Sequence, residues 1–159
     1  MICMFEKCSS LESINISHFN TINLNLMESM FQDCSNLKYI NLSNFKTENI
    51  NDVKYLFMGC SSLEEITLSN FNIKKVINLS YMFSGCKNLK FLDLTSFNTT
   101  NVIYTTSMFE GCSNLTLIDL SNFDITNLRF YDNMFKDCPN LKNTSNDFFN
   151  KMIRNREGI

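Results

Sequence analysis

The chain is built from a 26-residue repeat, and this repeat constrains its fold more than any other feature. Six cysteines recur at one constant interval, at Cys8, Cys34, Cys60, Cys86, Cys112 and Cys138. A phenylalanine precedes each of them by three residues and a leucine follows each by three, without slippage. A fixed period between about 20 and 50 residues is typical of stacked repeat architectures. The sequence therefore predicts a solenoid of six 26-residue coils, the first of them incomplete.

One part of the repeat has the pattern of a short strand. Between Leu63 and Phe71, Ile66 and Leu68 alternate with polar neighbours, which is typical of a strand with one buried face. The alternation recurs in the other repeats, and parallel strands of successive coils pair at a spacing of about 4.8 Å. We therefore expect one parallel sheet of short strands along the solenoid.

A second part of the repeat has the spacing of a helix. Apolar residues follow one another at intervals of three, four and three, at Val76, Leu79, Phe83 and Cys86. A glycine directly precedes three of the cysteines, where a left-handed residue would end a helical segment, at Gly59, Gly85 and Gly111. We expect one or two helical turns per coil, so the predicted fold class is an α/β solenoid.

The six regularly spaced cysteines are predicted to form a buried column. Zinc ligands cluster as Cys-x-x-Cys or with histidine, whereas His18 is the only histidine and aligns with polar turn residues. Cβ atoms of stacked coils, roughly 5 Å apart, lie beyond the ~3.8 Å that a disulfide favours. A buried cysteine packs as a small hydrophobe. We predict no metal and no cofactor, with disulfides or a metal site as the alternative and Cys3 exposed outside the column.

The same phrase of sequence fills residues 82–102 and 108–128, with Met-Phe, Gly-Cys, Asn-Leu and a second Phe at matching places. It resembles the repeat of BspA-like leucine-rich-repeat surface proteins, and the resemblance extends over nearly the whole chain up to Leu141. It implies a leucine-rich-repeat-like solenoid, which we take as right-handed, on a secreted or cell-surface microbial protein. Phe71 and its equivalents stand where an ordinary leucine-rich repeat has Asn, so phenylalanine packing is expected to hold that turn.

The two ends of the chain depart from the repeat in different ways. Residues 144–159 begin with an amphipathic pattern, which predicts a C-terminal capping helix and tail after a solenoid over 1–143. Met1 stands at the repeat position of Met27, inside a coil. This suggests a fragment of a longer array.

Composition argues against several functions. The net charge is −2 with both signs mixed and no basic stripe, so nucleic acid is not an expected partner. No window holds ~18 consecutive apolar residues, so membrane insertion is not predicted. The first residues lack the basic and apolar regions of a secretory signal. No nucleophile–base pair or phosphate-binding loop is suggested, and we name no catalytic residue.

Residues that alternate with the buried strand positions form a candidate partner-binding face. Exposed aromatic and aliphatic groups above a polar sheet are typical of recognition surfaces. The candidates are Tyr39, Asn41, Thr67, Phe91, Asp93, Leu117 and Asp119. A second variable apolar cluster lies on the loop side, at Ile103, Tyr104, Phe130 and Tyr131.

These patterns favour a non-catalytic interaction or adhesion module whose strand face engages a protein or a glycan. The alternative is a structural spacer within a longer surface protein, where the coils only set the reach. A carbohydrate-active solenoid enzyme ranks third. It rests on Asp93 and Asp119, whose carboxylates would lie about 5 Å apart in adjacent coils.

Overall fold

The strands of the repeat are short, parallel and in register. A computed structural model describes residues 1–120 and 122–141. It contains β1 (Tyr39–Asn41), β2 (Glu65–Thr67), β3 (Phe91–Leu92) and β4 (Leu117–Ile118). Strand β1 pairs with β2 and β3 with β4, each with the predicted offset of one repeat. Within the described part of the chain the strands form two two-stranded sheets, so the prediction of one continuous sheet is wrong.

Side chains alternate between the core and solvent along β1, β3 and β4, as the sequence predicts. Ile40, Leu92 and Ile118 point into the core and are at most 4% exposed. Their neighbours on the strands face outward. Burying one such aliphatic side chain stabilises the fold by roughly 1.5–3 kcal/mol, which fixes the register of each strand.

The segment expected to be helical is a series of tight turns, and no helix forms among the described residues. Leu56 N–H donates to Val53 O at 3.2 Å, and Cys60 N–H donates to Phe57 O at 3.1 Å. Two amides between them donate instead to the next repeat: Phe57 N–H bonds Met82 O at 2.9 Å, and Gly59 N–H bonds Ser84 O at 2.8 Å. Helical i→i−4 bonds cannot form when every second amide leaves the segment.

Left-handed residues explain why turns replace the helix. The predicted positive φ is present at Gly59, Gly85 and Gly111, at +74°, +76° and +73°. Four residues before the first two of these glycines, Tyr55 and Tyr81 also have φ of +60°. A left-handed residue every four positions ends each turn before a helix can propagate. The predicted spacing of apolar residues is therefore correct, but the backbone that produces it is different.

One phenylalanine position forms a continuous stack through the repeats. Neighbouring ring centroids lie 5.3 to 5.8 Å apart with planes within 12° of parallel, for Phe5, Phe31, Phe57, Phe83, Phe109 and Phe135. Each stacked pair adds about 0.5–1.5 kcal/mol to the free energy gained by burial. The repeats therefore stabilise one another through a shared aromatic core.

The cysteine position joins the repeats by hydrogen bonds that the sequence does not reveal. The Cys60 thiol donates to Phe31 O at 3.1 Å, and the Cys86 thiol donates to Phe57 O at 3.2 Å. The same carbonyl of Phe57 accepts the backbone N–H of Cys60. Each such carbonyl therefore receives one bond from its own repeat and one from the next.

The turn before the second phenylalanine position is held in two ways. The rings of Phe71 and Phe97 stack at 6.1 Å. In addition, Asn70 Nδ2 donates to Ser43 O at 3.2 Å, and Asn122 Nδ2 donates to Thr95 O at 3.1 Å. Phenylalanine packing therefore contributes to this turn as expected, and the asparagine bonds to the preceding repeat are an addition that the sequence analysis did not predict.

The predicted C-terminal capping helix, 144–159, lies outside the described residues. None of the residues that the structure describes belongs to a helix long and apolar enough to cross a membrane.

Candidate functional site

The outward strand residues named above lie side by side on one face. Tyr39 pairs in register with Glu65, and Phe91 pairs with Leu117. Tyr39, Phe91 and Leu117 are 49%, 53% and 49% exposed, respectively. At least one residue of each strand pair therefore presents half of a large apolar side chain to solvent. We call this surface the strand face.

The strand face opens between β2 and β3. Lys38 O accepts the N–H of Glu64 at 2.9 Å, and two repeats later Lys90 O accepts the N–H of Thr116 at 3.0 Å. The equivalent bond from Lys90 N–H to Glu64 O does not form between these two described residues. Beneath the gap, Ile66 is only half-buried, whereas its counterparts in the other strands are buried.

A groove of about 670 Å³ occupies this opening. Its lining combines two aromatic rings, one aliphatic side chain, two carboxylates, one ammonium group and two carboxamides, from Tyr39, Glu64, Glu65, Ile66, Asn88, Lys90, Phe91 and Asn114. Tyr39 Oη donates to Glu64 Oε2 at a long 3.5 Å. Half-exposed rings beside groups that donate and accept hydrogen bonds can hold a ligand by stacking and by polar contacts.

Most of the polar lining escaped the sequence prediction. Tyr39 and Phe91 were named as candidates, but Glu64, Asn88, Lys90 and Asn114 were not. The groove lies where the backbone bond between Lys90 and Glu64 is missing, and Ile66 there matches Ile40 and Ile118 at its repeat position. The residue types at this repeat position therefore do not predict where the groove lies.

The polar candidates of the strand face are partly engaged by their own backbone. Asn41 Oδ1 accepts the N–H of Ser43 at 2.9 Å. Asp93 Oδ1 accepts the N–H of Thr95 at 2.9 Å and its hydroxyl at 2.6 Å. Side-chain acceptors that bond the backbone two residues onward stabilise turns. Asn41 and Asp93 thus shape the turns that follow β1 and β3.

The two aspartates that motivated an enzymatic alternative lie together on the surface. Both Asp93 and Asp119 are exposed on the strand face. The hydrogen bonds from Thr95 hold the pKa of Asp93 below its usual range, against smaller opposing effects of burial and of Asp119. Thr67, the remaining candidate, is half-buried in β2 opposite Asn41.

The cysteines of the central repeats are buried thiols. Cys34, Cys60, Cys86 and Cys112 are buried and unpaired, while Cys3 is exposed as predicted. Burial raises the pKa of Cys34 to about 11 and that of Cys112 to about 12. The prediction fails at the two ends of the column, where fewer neighbours cover the thiols: Cys8 is exposed and Cys138 is half-buried.

Neither the thiols nor the carboxylates gather into a metal centre. Within residues 1–120 and 122–141, no three His, Cys, Asp or Glu side chains are placed to hold an ion. His18 lies on the surface with its ring edge against Phe19, at 5.4 Å between centroids.

Comparison with known proteins identifies a family but no described function. A family model described as "Mycoplasma protein of unknown function, DUF285" matches residues 1–63 and again residues 27–152. The two matches therefore begin at equivalent positions of successive repeats, Met1 and Met27. No curated protein and no solved structure matches the chain significantly.

Proposed function

We propose that this chain, which belongs to the DUF285 family of Mycoplasma proteins of unknown function, is a non-catalytic interaction module. It is a right-handed, leucine-rich-repeat-like solenoid of six coils whose strand face engages a protein or a glycan. The observation that carries the proposal is the groove between β2 and β3, flanked by Tyr39 and Phe91. From the resemblance to BspA-like surface proteins, we propose that the module is displayed at the cell surface or secreted.

The composition of the groove supports binding through stacking. Exposed aromatic rings stack on sugar faces and on peptide side chains, and they lose little conformational entropy when they do so. The carboxylates of Glu64 and Glu65 accept hydrogen bonds, and the amides of Asn88 and Asn114 both donate and accept them. Both ligand classes present hydroxyl or amide groups that such a lining can bond.

The electrostatics of Asp93 do not fit the acid that glycoside hydrolysis needs. A glycosidase needs a carboxylic acid whose pKa is raised so that it can protonate the leaving group. Asp93 has the opposite shift, because Thr95 stabilises its charged form. Asp93 therefore suits hydrogen bonding to a ligand better than protonation of a leaving group.

The spacer alternative is favoured by a different observation. The phenylalanine stack runs through six repeats without interruption, which gives a stiff core whether or not the surface binds anything. In that alternative Tyr39 and Phe91 have no partner, and the groove is incidental.

A binding screen with matched variants separates these functions. The chain is tested against a glycan array and a displayed library of random peptides, and selected ligands are titrated in solution. We expect Tyr39→Ala and Phe91→Ala each to weaken binding by about tenfold or more, as central aromatic anchors do. Ile22→Ala, which truncates an exposed apolar side chain away from both this groove and the apolar cluster on the loop side, should leave the affinity unchanged.

Two outcomes would contradict the proposal. Ligands that bind the Phe91→Ala and Ile22→Ala variants equally well would move the site away from the groove. A chain that selects no ligand from either library would favour the spacer.

A further inference from the structure

A second groove lies half a repeat away from the strand face. It has a volume of about 590 Å³ and is lined by Lys74, Lys75, Ile77, Asn101, Ile103 and Asn127. Ile77 lies near the middle of the segment that joins β2 to β3, so the groove belongs to the loop side of the repeat. We call it the basic cleft.

The floor of the basic cleft is apolar and held by the backbone. Ile103 N–H donates to Ile77 O at 2.9 Å, and Arg129 N–H donates to Ile103 O at 3.0 Å. These bonds set the three side chains next to one another at one repeat position. Ile77 is 49% exposed, although most aliphatic side chains of the described residues are buried. Fixed, exposed aliphatic groups of this kind are typical of interaction surfaces.

An aromatic pair extends the apolar surface beyond the cleft. The rings of Tyr104 and Phe130 stack at 4.7 Å with planes 7° from parallel, and Phe130 is half-exposed. Tyr104 directly follows Ile103 of the cleft, and its N–H donates to Ile77 O at 3.2 Å. The ring pair therefore lies next to the apolar floor.

The rim of the cleft is cationic. Lys74 and Lys75 are exposed, and neither forms an ion pair with an acidic side chain of the described residues. Lys75 Nζ donates to the neutral Asn49 Oδ1, at 2.9 Å. Arg129, which does not line the cleft but follows Ile103 at the same repeat position, adds a positive charge beside it, and its guanidinium also donates to Thr126 O and Leu128 O. Positive charge around an apolar floor is complementary to an acidic ligand with an apolar group.

We infer that the basic cleft docks an acidic polypeptide segment that carries a large aliphatic side chain. The aliphatic group packs against Ile77 and Ile103, and flanking carboxylates pair with Lys74 and Lys75. A sulfated glycan would satisfy the lysines but has no aliphatic side chain for the floor. This inference does not depend on the strand face, because the two sites share no residue.

The test uses the full chain and a labelled acidic peptide with a central Leu-Ile pair, followed by fluorescence anisotropy. The peptide should bind, and raising the ionic strength from about 0.05 to about 0.5 M should lower its affinity several-fold. A peptide with Asn and Gln in place of Asp and Glu should bind at least about tenfold more weakly.

Matched variants locate the binding. The double change Lys74→Glu with Lys75→Glu should weaken binding by about tenfold or more, whereas Lys46→Glu with Lys87→Glu, of equal net charge, should change it less than about twofold. Ile77→Ser should weaken binding about threefold or more, while Ile22→Ser, at a position 62% exposed, should not. Phe91→Ala should have no effect, which keeps the result independent of the strand face.

Three results would overturn the inference. The first is that the acidic peptide does not bind the wild-type chain. The second is that the double substitution at Lys74 and Lys75 and the one at Lys46 and Lys87 weaken binding equally, which would mean unspecific electrostatic attraction. The third is that a sulfated oligosaccharide or a phosphatidylserine vesicle binds more tightly than the peptide, with an affinity that Ile77→Ser does not change.

Discussion

At the scale of single residues, two buried threonines differ in how their hydroxyls are satisfied. Thr99 Oγ1 accepts the N–H of Asp124 at 2.7 Å and donates to Asp124 O at 3.2 Å. Thr105 is also buried, but its hydroxyl has no hydrogen-bond partner among the described residues. Other repeats place apolar side chains at the position of Thr105: Met27, Val53 and Leu79.

Replacing Thr105 by valine should therefore stabilise the chain. The substitution keeps the shape of the side chain and removes a buried hydroxyl that lacks a partner, which is worth about 1–3 kcal/mol. Thr99→Val is the matched control and should destabilise by about 1 kcal/mol, because it leaves Asp124 N–H without its acceptor. Urea unfolding followed by circular dichroism measures both. A loss of stability in Thr105→Val would mean that its hydroxyl has a partner, such as a bound water.

The cysteines mark the limit of sequence reasoning at this scale. Their spacing predicts a buried column, and burial is correct for the central four residues. The bond from each thiol to a phenylalanine carbonyl could not be predicted, because it depends on the direction of a backbone group in the preceding repeat. Composition cannot distinguish a thiol that only fills space from one that also donates a hydrogen bond.

At the scale of the repeat's elements, the left-handed turn before each cysteine is the most demanding part. Gly59, Gly85 and Gly111 fill it in three repeats, and Asp33 and Asp137 fill it with φ of +57° in two others. A Cβ built on Gly111 would meet only the backbone of Gly85, at 3.8 Å. On Gly59 it would collide with Asp33 Oδ1.

Substitutions at these glycines should separate backbone strain from collision. Gly111→Ala should cost about 1–2 kcal/mol from the left-handed backbone alone. Gly59→Ala should cost more, because Asp33 must also move. Gly111→Asn should cost less than Gly111→Ala, since asparagine tolerates this conformation better. Thermal unfolding gives the order, and a silent Gly111→Ala would show that the turn is not left-handed in solution.

The same turns explain why the helix prediction failed while the strand prediction held. Apolar residues at intervals of three and four satisfy a helix, but consecutive tight turns point the same residues inward. The glycines were visible in the sequence, but nothing marked Tyr55 and Tyr81 as left-handed, because bulky residues rarely adopt that conformation. The alternation of a short strand fits fewer backbone conformations, so a strand around Ile66 is predicted correctly, and the inward and outward sides are correct around Ile40 and Ile118.

At the scale of the whole molecule, stability depends on contacts between neighbouring repeats. Backbone bonds, thiol bonds and ring stacks all join residues of adjacent repeats. In such arrays the loss of one interface also weakens the units on either side. A core substitution in a central repeat should therefore affect its neighbours as well as its own repeat.

Phe71→Ala should destabilise the chain by roughly 3–5 kcal/mol, because it removes a fully buried ring from a central repeat. Phe91→Ala, at a half-exposed position of the strand face, should be nearly silent. Thiol labelling measures both: Cys60 and Cys86 should react only when the stack opens, because burial raises their pKa and suppresses their thiolates. Equal labelling rates in the two variants would contradict the assignment of inside and outside.

The candidate site was predictable only as far as it follows the repeat. The repeat assigns Tyr39, Phe91 and Leu117 to the outside of the strands, and they are exposed there. The groove arises where two repeats separate locally, between Glu64 and Lys90, and such a departure from symmetry cannot be read from residues that obey the symmetry. The basic cleft likewise depends on side chains of three repeats meeting on the loop side.

The constant register of the repeat has a consequence for how such a gene can change. Deleting or duplicating one whole repeat by recombination restores every class of contact between repeats, because each new neighbour presents the same partners at the same positions. A single inserted codon instead reverses the inward and outward faces of a strand. Length in this protein can therefore vary in steps of about 4.8 Å per repeat, and the surface residues of whole repeats can be exchanged while the interior is preserved.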